Sequence, residues 1–452
     1  MNHQSASRKS KALRNSEGLT RITVCGYKSI AHRQSIDIRP LTILAGANSS
    51  GKSSIVQPIL MLKQTLEVSY DPGTLLLDGP NVRFTSGDQF LSRVGKGNCQ
   101  DALDIEMSIG SNQKFGVLYK WHPDRGPEIQ EMTYRTHERD NTLRPNMTET
   151  EIVSANPDMQ EMFKHWGVTG KEEFTWAVTR DRCFLGLDLT LGGDEGTENA
   201  TGGGVIVPIG NTVEQLRQFL HVPGLRGNPE RTYPVTAVGP TFPGTFEKYV
   251  ASVIAQWRAD KDTEALETVN QALEGLGLTW KVVAEPLTHT QVQLKVGRLP
   301  HPKQGGAYDL VSIADVGLGV SQTLPVVVAL LVAEPGQAVY LEQPEIHLHP
   351  RAQSRLGKLL SEAAQRGVRV IVETHSSLLL RAIQTLVAKS EISPDLVKLH
   401  WFTRQEDGST EVNSADLDKD GAFGNWPEDF DETAIAAERD YLDAAEARSQ
   451  AQ

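Results

Sequence analysis

The stretch "TILAGANSSGKSS", residues 42–54, constrains this chain more than any other. An apolar strand pattern runs into Gly46–Ser53, which matches G-x-x-x-x-G-K-[ST], and a helical pattern follows. Glycines in such a loop let backbone N–H groups curl around phosphate oxygens. Lys52 can neutralise the β- and γ-phosphates, Ser53 can offer its hydroxyl to Mg²⁺, and the helix N-terminus adds partial positive charge. The bland alternative is a simple glycine turn, and the strand–loop–helix context argues against it. Ile55, Ile59, Leu62 and Leu66 are spaced to share one face of the helix, and Pro58 inside it should kink it or weaken a backbone bond.

A P-loop needs a parallel sheet, and the far end of the chain supplies the pattern for one. "QAVYLE" (337–342) and "VRVIVE" (368–373) read as buried strands, with a helix opening at Pro350 and stopping at Gly367 between them. Strand, helix, strand at this spacing implies a right-handed parallel crossover. The fold class is therefore α/β. A head built from residues 19–100 and 300–434 would carry an antiparallel β subdomain and an inserted lid at 101–299. Residues 1–18 read as a disordered basic tail, 191–204 as a mobile surface loop, and 435–452 as an exposed helix.

Three further constellations bear on chemistry. Glu342 ends an apolar strand, as an acid that holds a magnesium water shell would, or as one that caps the next helix. His375 follows the next strand and either touches phosphate or merely ends the strand. "DVGLGVSQTLP" (315–325) places two glycines before Ser321 and Gln322 at a second helix N-terminus, which is either a phosphate-holding turn or an ordinary capped helix.

Composition limits the partners. The formal net charge of −12 argues against indiscriminate DNA coating, which depends on phosphate neutralisation. The longest apolar run, Leu324–Ala333, is half a bilayer span, so no transmembrane helix and a cytoplasmic location are expected. Cys25, Cys99 and Cys183 lack metal or redox spacing and read as packing residues.

With these motifs in this order, the chain resembles the ABC-type ATPase heads of the RecF, SMC and overcoming-lysogenization-defect group, often described as AAA-family ATPases. It looks closest to bacterial members that carry "EQPEIHLHP" (342–350) and a tail like "GAFGNWPEDFDE" (421–432), the Septu anti-phage ATPase among them. The middle is covered weakly, chiefly by "VPGLRGNPERTY" (222–233). The resemblance implies ATP and Mg²⁺ as ligands. Gly46, Asn48, Ser49, Ser50, Gly51, Lys52, Ser53 and Ser54 would form Walker A, and Glu342 Walker B. Gly317, Gly319, Ser321 and Gln322 would form the signature, and His375 the switch histidine. Gln89, in "SGDQFLS", would be a Q-loop residue near the metal. Two heads would pair head-to-tail as a homodimer, each signature capping the other copy's ATP.

The resemblance also exposes a departure. The usual catalytic glutamate is Gln343 here, which orients water but cannot accept its proton. Glu345, past Pro344, is the understudy. Loss of a general base removes about 10²–10⁴ in rate, so hydrolysis should be slow. Related chains that continue into a Toprim nuclease differ, because this one ends 77 residues after His375 (452 − 375). Asp416 and Asp418 read as an acidic loop, and His347 and His349 as solvated or interface histidines. The expected function is an ATPase that controls a separately encoded nuclease in anti-phage defence. The rivals are a non-hydrolysing nucleotide-gated scaffold and a RecF-like DNA-repair ATPase gripping duplex through Arg217, Arg226 and Arg231.

Overall fold

The computed structural model describes residues 18–94, 98–136, 139–156, 174–191, 204–299, 301, 309–424, 439–440 and 442. The expected basic tail apart from Gly18, almost all of the 191–204 loop, and the C-terminal helix apart from Arg439, Asp440 and Leu442 lie outside them.

Along the chain, β1 (Leu19–Cys25), β2 (Gln34–Asp37) and β3 (Leu41–Gly46) lead into α1 (Lys52–Glu67). A meander follows, of β4 (Ala102–Ile109), β5 (Gln113–His122), β6 (Gly126–Thr136) and β7 (Arg139–Leu143). The short strand β8 (Leu220–Val222) precedes α2 (Val250–Ala259) and α3 (Thr263–Gly275). A hairpin, Val282–Pro286 with Gln291–Gly297, comes before α4 (Leu318–Val332). The chain then alternates through β9 (Ala338–Glu342), α5 (Pro350–Gln365), β10 (Arg369–Glu373), α6 (Ser377–Ala388), β11 (Val397–Arg404) and β12 (Thr410–Ala415).

Two six-stranded sheets organise this order. One runs β8-β9-β10-β3-β11-β12, parallel except for the β12 edge. The other is antiparallel, β2-β1-β4-β5-β6-β7. Alternation decides which residue faces which core. Ile43, Val339, Leu341, Val370 and Val372 point into a cluster closed by α2 to α6. Leu44, Tyr340 and Ile371 point the other way, toward α1 and the antiparallel sheet.

That sandwich alters the expectation for α1. Ile55, Ile59, Leu62 and Leu66 are buried as expected, but so are Val56, Leu60 and Met61, because the helix is covered on both sides. It runs unbroken through Pro58, and nothing in the structure explains a proline there.

The sheets also cut across the expected lid. The opening strand β1 pairs with β4, and β8 pairs in parallel with β9, so residues on both sides of position 100 share one sheet and residue 222 belongs to the sheet of the P-loop strand. Hydrogen-bonded strand edges, not sequence proximity, set these units.

Candidate functional site

The P-loop is shaped by three residues with positive φ: Gly46 (143°), Ser49 (60°) and Gly51 (100°). A Cβ on Gly51 would lie 2.4 Å from Thr410 Oγ1, and one on Gly46 2.4 Å from Phe402 O. Both glycines are therefore demanded by conformation and by close approach. Asn48 and Ser49 are exposed at the loop tip, while Ser54 is buried at the start of α1. The Ser50 hydroxyl is buried without a partner among the described residues. Arg404, at the end of β11, donates to Ser49 O at 3.0 Å.

Lys52 opens α1 and turns back, its ammonium donating to Ala47 O (2.7 Å) and Gly46 O (3.1 Å). Burial lowers its pKa, and the carboxylates of Glu373 and Glu345 oppose that shift. An anion at the loop would replace two neutral carbonyl partners with charged ones.

Ser53 Oγ donates to Glu373 Oε2 at 2.8 Å, and the Tyr340 hydroxyl donates to the same oxygen at 2.7 Å. Glu373 ends β10 and is buried, which raises its pKa against the pull of Tyr340, Ser53 and Lys52. It sits in "VETHSS", yet sequence reasoning took only His375 from that string. The expected metal acid, Glu342, is placed otherwise. Its oxygens accept from His221 Nε2 (3.2 Å) and Gly224 N (3.0 Å). Burial disfavours its charge, but the His221 and Gly224 bonds and Arg226 together hold its carboxyl below the ordinary value. The reason is topological: β10 lies between β9 and the P-loop strand, so Glu373, the register partner of Glu342, meets Ser53 first.

The two other water-side candidates converge. Glu345 Oε1 accepts from Thr374 Oγ1 (2.6 Å) and His375 N (3.0 Å), and its buried Oε2 has no partner among the described residues. His375 is half-buried beside the loop; burial and then Lys52 lower its pKa, and a bond with the Gly46 backbone opposes this. Gln343 takes a left-handed φ of 42° and donates its N–H to Glu373 O at 2.8 Å.

The second glycine turn is split. Gly317 is the N-cap of α4 and Leu318 is 40% exposed, so the tip faces outward. The helix starts before Ser321, whose hydroxyl bonds Leu318 O at 3.2 Å. Gly319 packs near His347 O. Gln322, expected to reach outward, is instead buried, with Nε2 donating to Gly227 O at 2.7 Å. The rotation of about 100° per helical residue places it on the core side of Ser321.

Two more expectations change. Gln89 spends its amide on Thr85 (2.8 and 2.7 Å), although it lines the P-loop cavity. Arg226, a candidate duplex contact, is buried, and Arg231 is paired with Asp315. His349 is exposed, as a solvated histidine would be, and its Nδ1 caps α5 by accepting from Arg351 N.

The cavity over the loop holds about 500 Å³ and is lined by Lys28, Lys52, Ser53, Gln57, Glu373 and Arg404 among others. A triphosphate suits this site: a loop whose Gly46 and Gly51 are required by conformation, the orphan Ser50 hydroxyl within that loop, and a Lys52 ammonium bonded only to carbonyls among the described residues. A divalent cation suits the Ser53–Glu373 pair, whose hard oxygen donors are those magnesium prefers.

Residues 301–381, which hold the α4 turn, Glu342 and His375, match the family model described as "AAA domain, putative AbiEii toxin, Type IV TA system". No curated protein matches the chain. Similar solved structures include an SMC head bound to the C-winged helix domain of ScpA (12% identity, TM-score 0.48, covering 89% of this chain and 98% of that one). An SMC head domain from Thermotoga maritima is also 12% identical (TM-score 0.41, 88% and 98% covered). So is a head with an extended coiled coil, bound to the C-terminal domain of ScpA, from Pyrococcus furiosus (TM-score 0.45, 88% and 96%). No described helix is long and apolar enough to cross a membrane.

Proposed function

We propose that this chain is an ABC-type ATPase head that closes around ATP and Mg²⁺ as a head-to-tail homodimer. The observation that carries the reading is the Lys52–Ser53–Glu373 cluster at the mouth of a conformationally required P-loop. Lys52 would leave its two carbonyls for the phosphates. Ser53 and Glu373 would hold the cation, with Glu342 behind them through its water shell. Bound magnesium would supply charge neutralisation of the phosphate oxygens. The outward tip of α4, with Ser321, would cap the partner copy's nucleotide.

Turnover is slow in this reading, because Gln343 cannot take the proton of the attacking water. Glu345 takes that role, favoured by its unpartnered buried oxygen beside His375. Phosphate release by wild type, abolished in Lys52→Ala, is expected. Nucleotide binding by wild type with no release at all would replace this reading with that of an ATP-gated scaffold.

The opened or closed dimer would in turn control a separately encoded nuclease in phage defence, a role supported by the sequence resemblance. A nuclease encoded beside this chain whose cleavage rate follows the ATP state of the head is the expected finding. Indifference of that nuclease to Lys52→Ala would remove the regulatory role.

A further inference from the structure

One buried cation helps keep the Glu342 carboxyl below its ordinary value yet lines no part of the P-loop cavity. Arg226, on the loop after β8, is only 8% exposed. Its Nη1 donates to Gln322 O at 3.0 Å in the first turns of α4. Its Nη2 donates to Glu342 O at 2.8 Å and reaches Gln343 O at 3.4 Å. Nε is buried without a partner, and no carboxylate among the described residues lies within ion-pair distance. Its hydrogen bonds go to backbone carbonyls alone; burial lowers its pKa, and the charges of Glu345, Glu342 and Glu247 oppose that only in part, so the guanidinium is costly to bury. What it supplies is geometry: a rigid planar fork spanning two elements.

The surrounding loop is gripped at both ends. His221 and Gly224 N hold the two oxygens of Glu342. Gly227 O accepts from the Gln322 side chain, which ties the loop to α4 a second time. Between them, Gln343 sits at a φ of 42°, a conformation that costs a non-glycine residue about 1 kcal/mol and persists only where neighbours enforce it. Arg226 contacts the carbonyls on either side of the Gln343 nitrogen–carbon segment.

We propose that Arg226 is a positioning residue that couples the nucleotide state of a chain's own P-loop to the α4 tip the chain offers its partner. The inference rests on the α4 tip being the cap assigned under Proposed function. Ligand-driven movement of Glu342 or of the Gln343 turn shifts the carbonyls that Nη2 holds. The fork carries that shift to Gln322 O, and the Gln322–Gly227 bond keeps the loop and helix moving together.

Amide hydrogen exchange on dilute, monomeric full-length chain tests this, because it reads the coupling inside one copy. In wild type, adding ATP and Mg²⁺ is expected to slow exchange at least about fivefold, both at Gly46–Ser53 and over residues 316–326. In Arg226→Ala the protection stays at the P-loop and disappears from α4. Arg226→Lys does not restore it, since an ammonium lacks the fork. Gln322→Ala, which removes only the Gly227 bond, loses part of the α4 protection and stands in should Arg226→Ala fail to fold. Undiminished α4 protection in Arg226→Ala, or none in wild type, overturns the coupling. Failure of ATP to dimerise the wild type in sedimentation would instead overturn the cap reading, and leaves the exchange result to be judged by itself.

Discussion

Two glutamates one strand apart stand differently toward the P-loop. Glu373 touches Ser53, while Glu342 is held back by His221 and Gly224. Glu373→Gln should therefore weaken magnesium-dependent ATP binding more than Glu342→Gln does, by titration of a fluorescent ATP analogue with and without Mg²⁺. Glu345 is argued to act on water, not on binding. Glu345→Gln should slow phosphate release by about 10²–10⁴-fold while nucleotide affinity stays within a few-fold. Gln343→Ala should cost less, because an amide there orients but takes no proton. Away from the site, Lys63 is fully buried in α1, bonded to Glu67 and to Phe242 O (3.0 Å), and Gly244 N donates to Glu67 at 2.9 Å. Lys63→Ala strands a buried carboxylate and should lower unfolding stability by about 3–5 kcal/mol in urea titration, with Lys63→Ala/Glu67→Ala costing less than the sum of the single changes.

At the scale of elements, what sequence made legible is whatever repeats a local rule. The P-loop strand is a largely apolar run that ends in a glycine, and the apolar runs of β9 and β10 end in glutamates. α5 opens on Pro350 and stops before Gly367, whose φ is 94°. Glu373 was in view but unread, because its importance comes from β10 lying beside β3, a fact of strand order that no local pattern carries. His221 and Arg226 were further out of reach. They come from a three-residue strand and its following loop, over a hundred residues before the acid they position. The inward turn of Gln322 likewise follows from where α4 starts, at Leu318 and not at Ser321. The loop after β8, whose Arg226 and Gly227 bond α4 at Gln322, leaves Leu225 91% exposed. In a head-to-tail dimer this apolar knob should face the second copy. Leu225→Glu should then raise the protein concentration needed for ATP-dependent dimerisation, read by sedimentation, without changing the melting temperature.

For the whole molecule, the parallel sheet is the frame that carries the P-loop, Glu342 and Glu373, and its acid stability has an identifiable contributor. His400 on β11 is fully buried, bonded to Asp37 O and Ser414 Oγ, and burial pushes its pKa down from 6.5 to about 4. The unfolded chain takes up that proton near pH 6.5 and the folded one only near 4, so stability is complete above this window and is lost as pH falls through it. The loss amounts to about 3 kcal/mol, and His400→Gln should flatten that limb of urea-unfolding stability against pH. The claim on which the account turns is that two copies complete each ATP site. Sedimentation of the Glu345→Gln chain, with and without ATP and Mg²⁺, tests it most directly. The account predicts a monomer that becomes a dimer only with nucleotide, and loss of that shift in Glu345→Gln/Ser321→Arg although ATP still binds. A chain that binds ATP and remains a monomer at every concentration would contradict it.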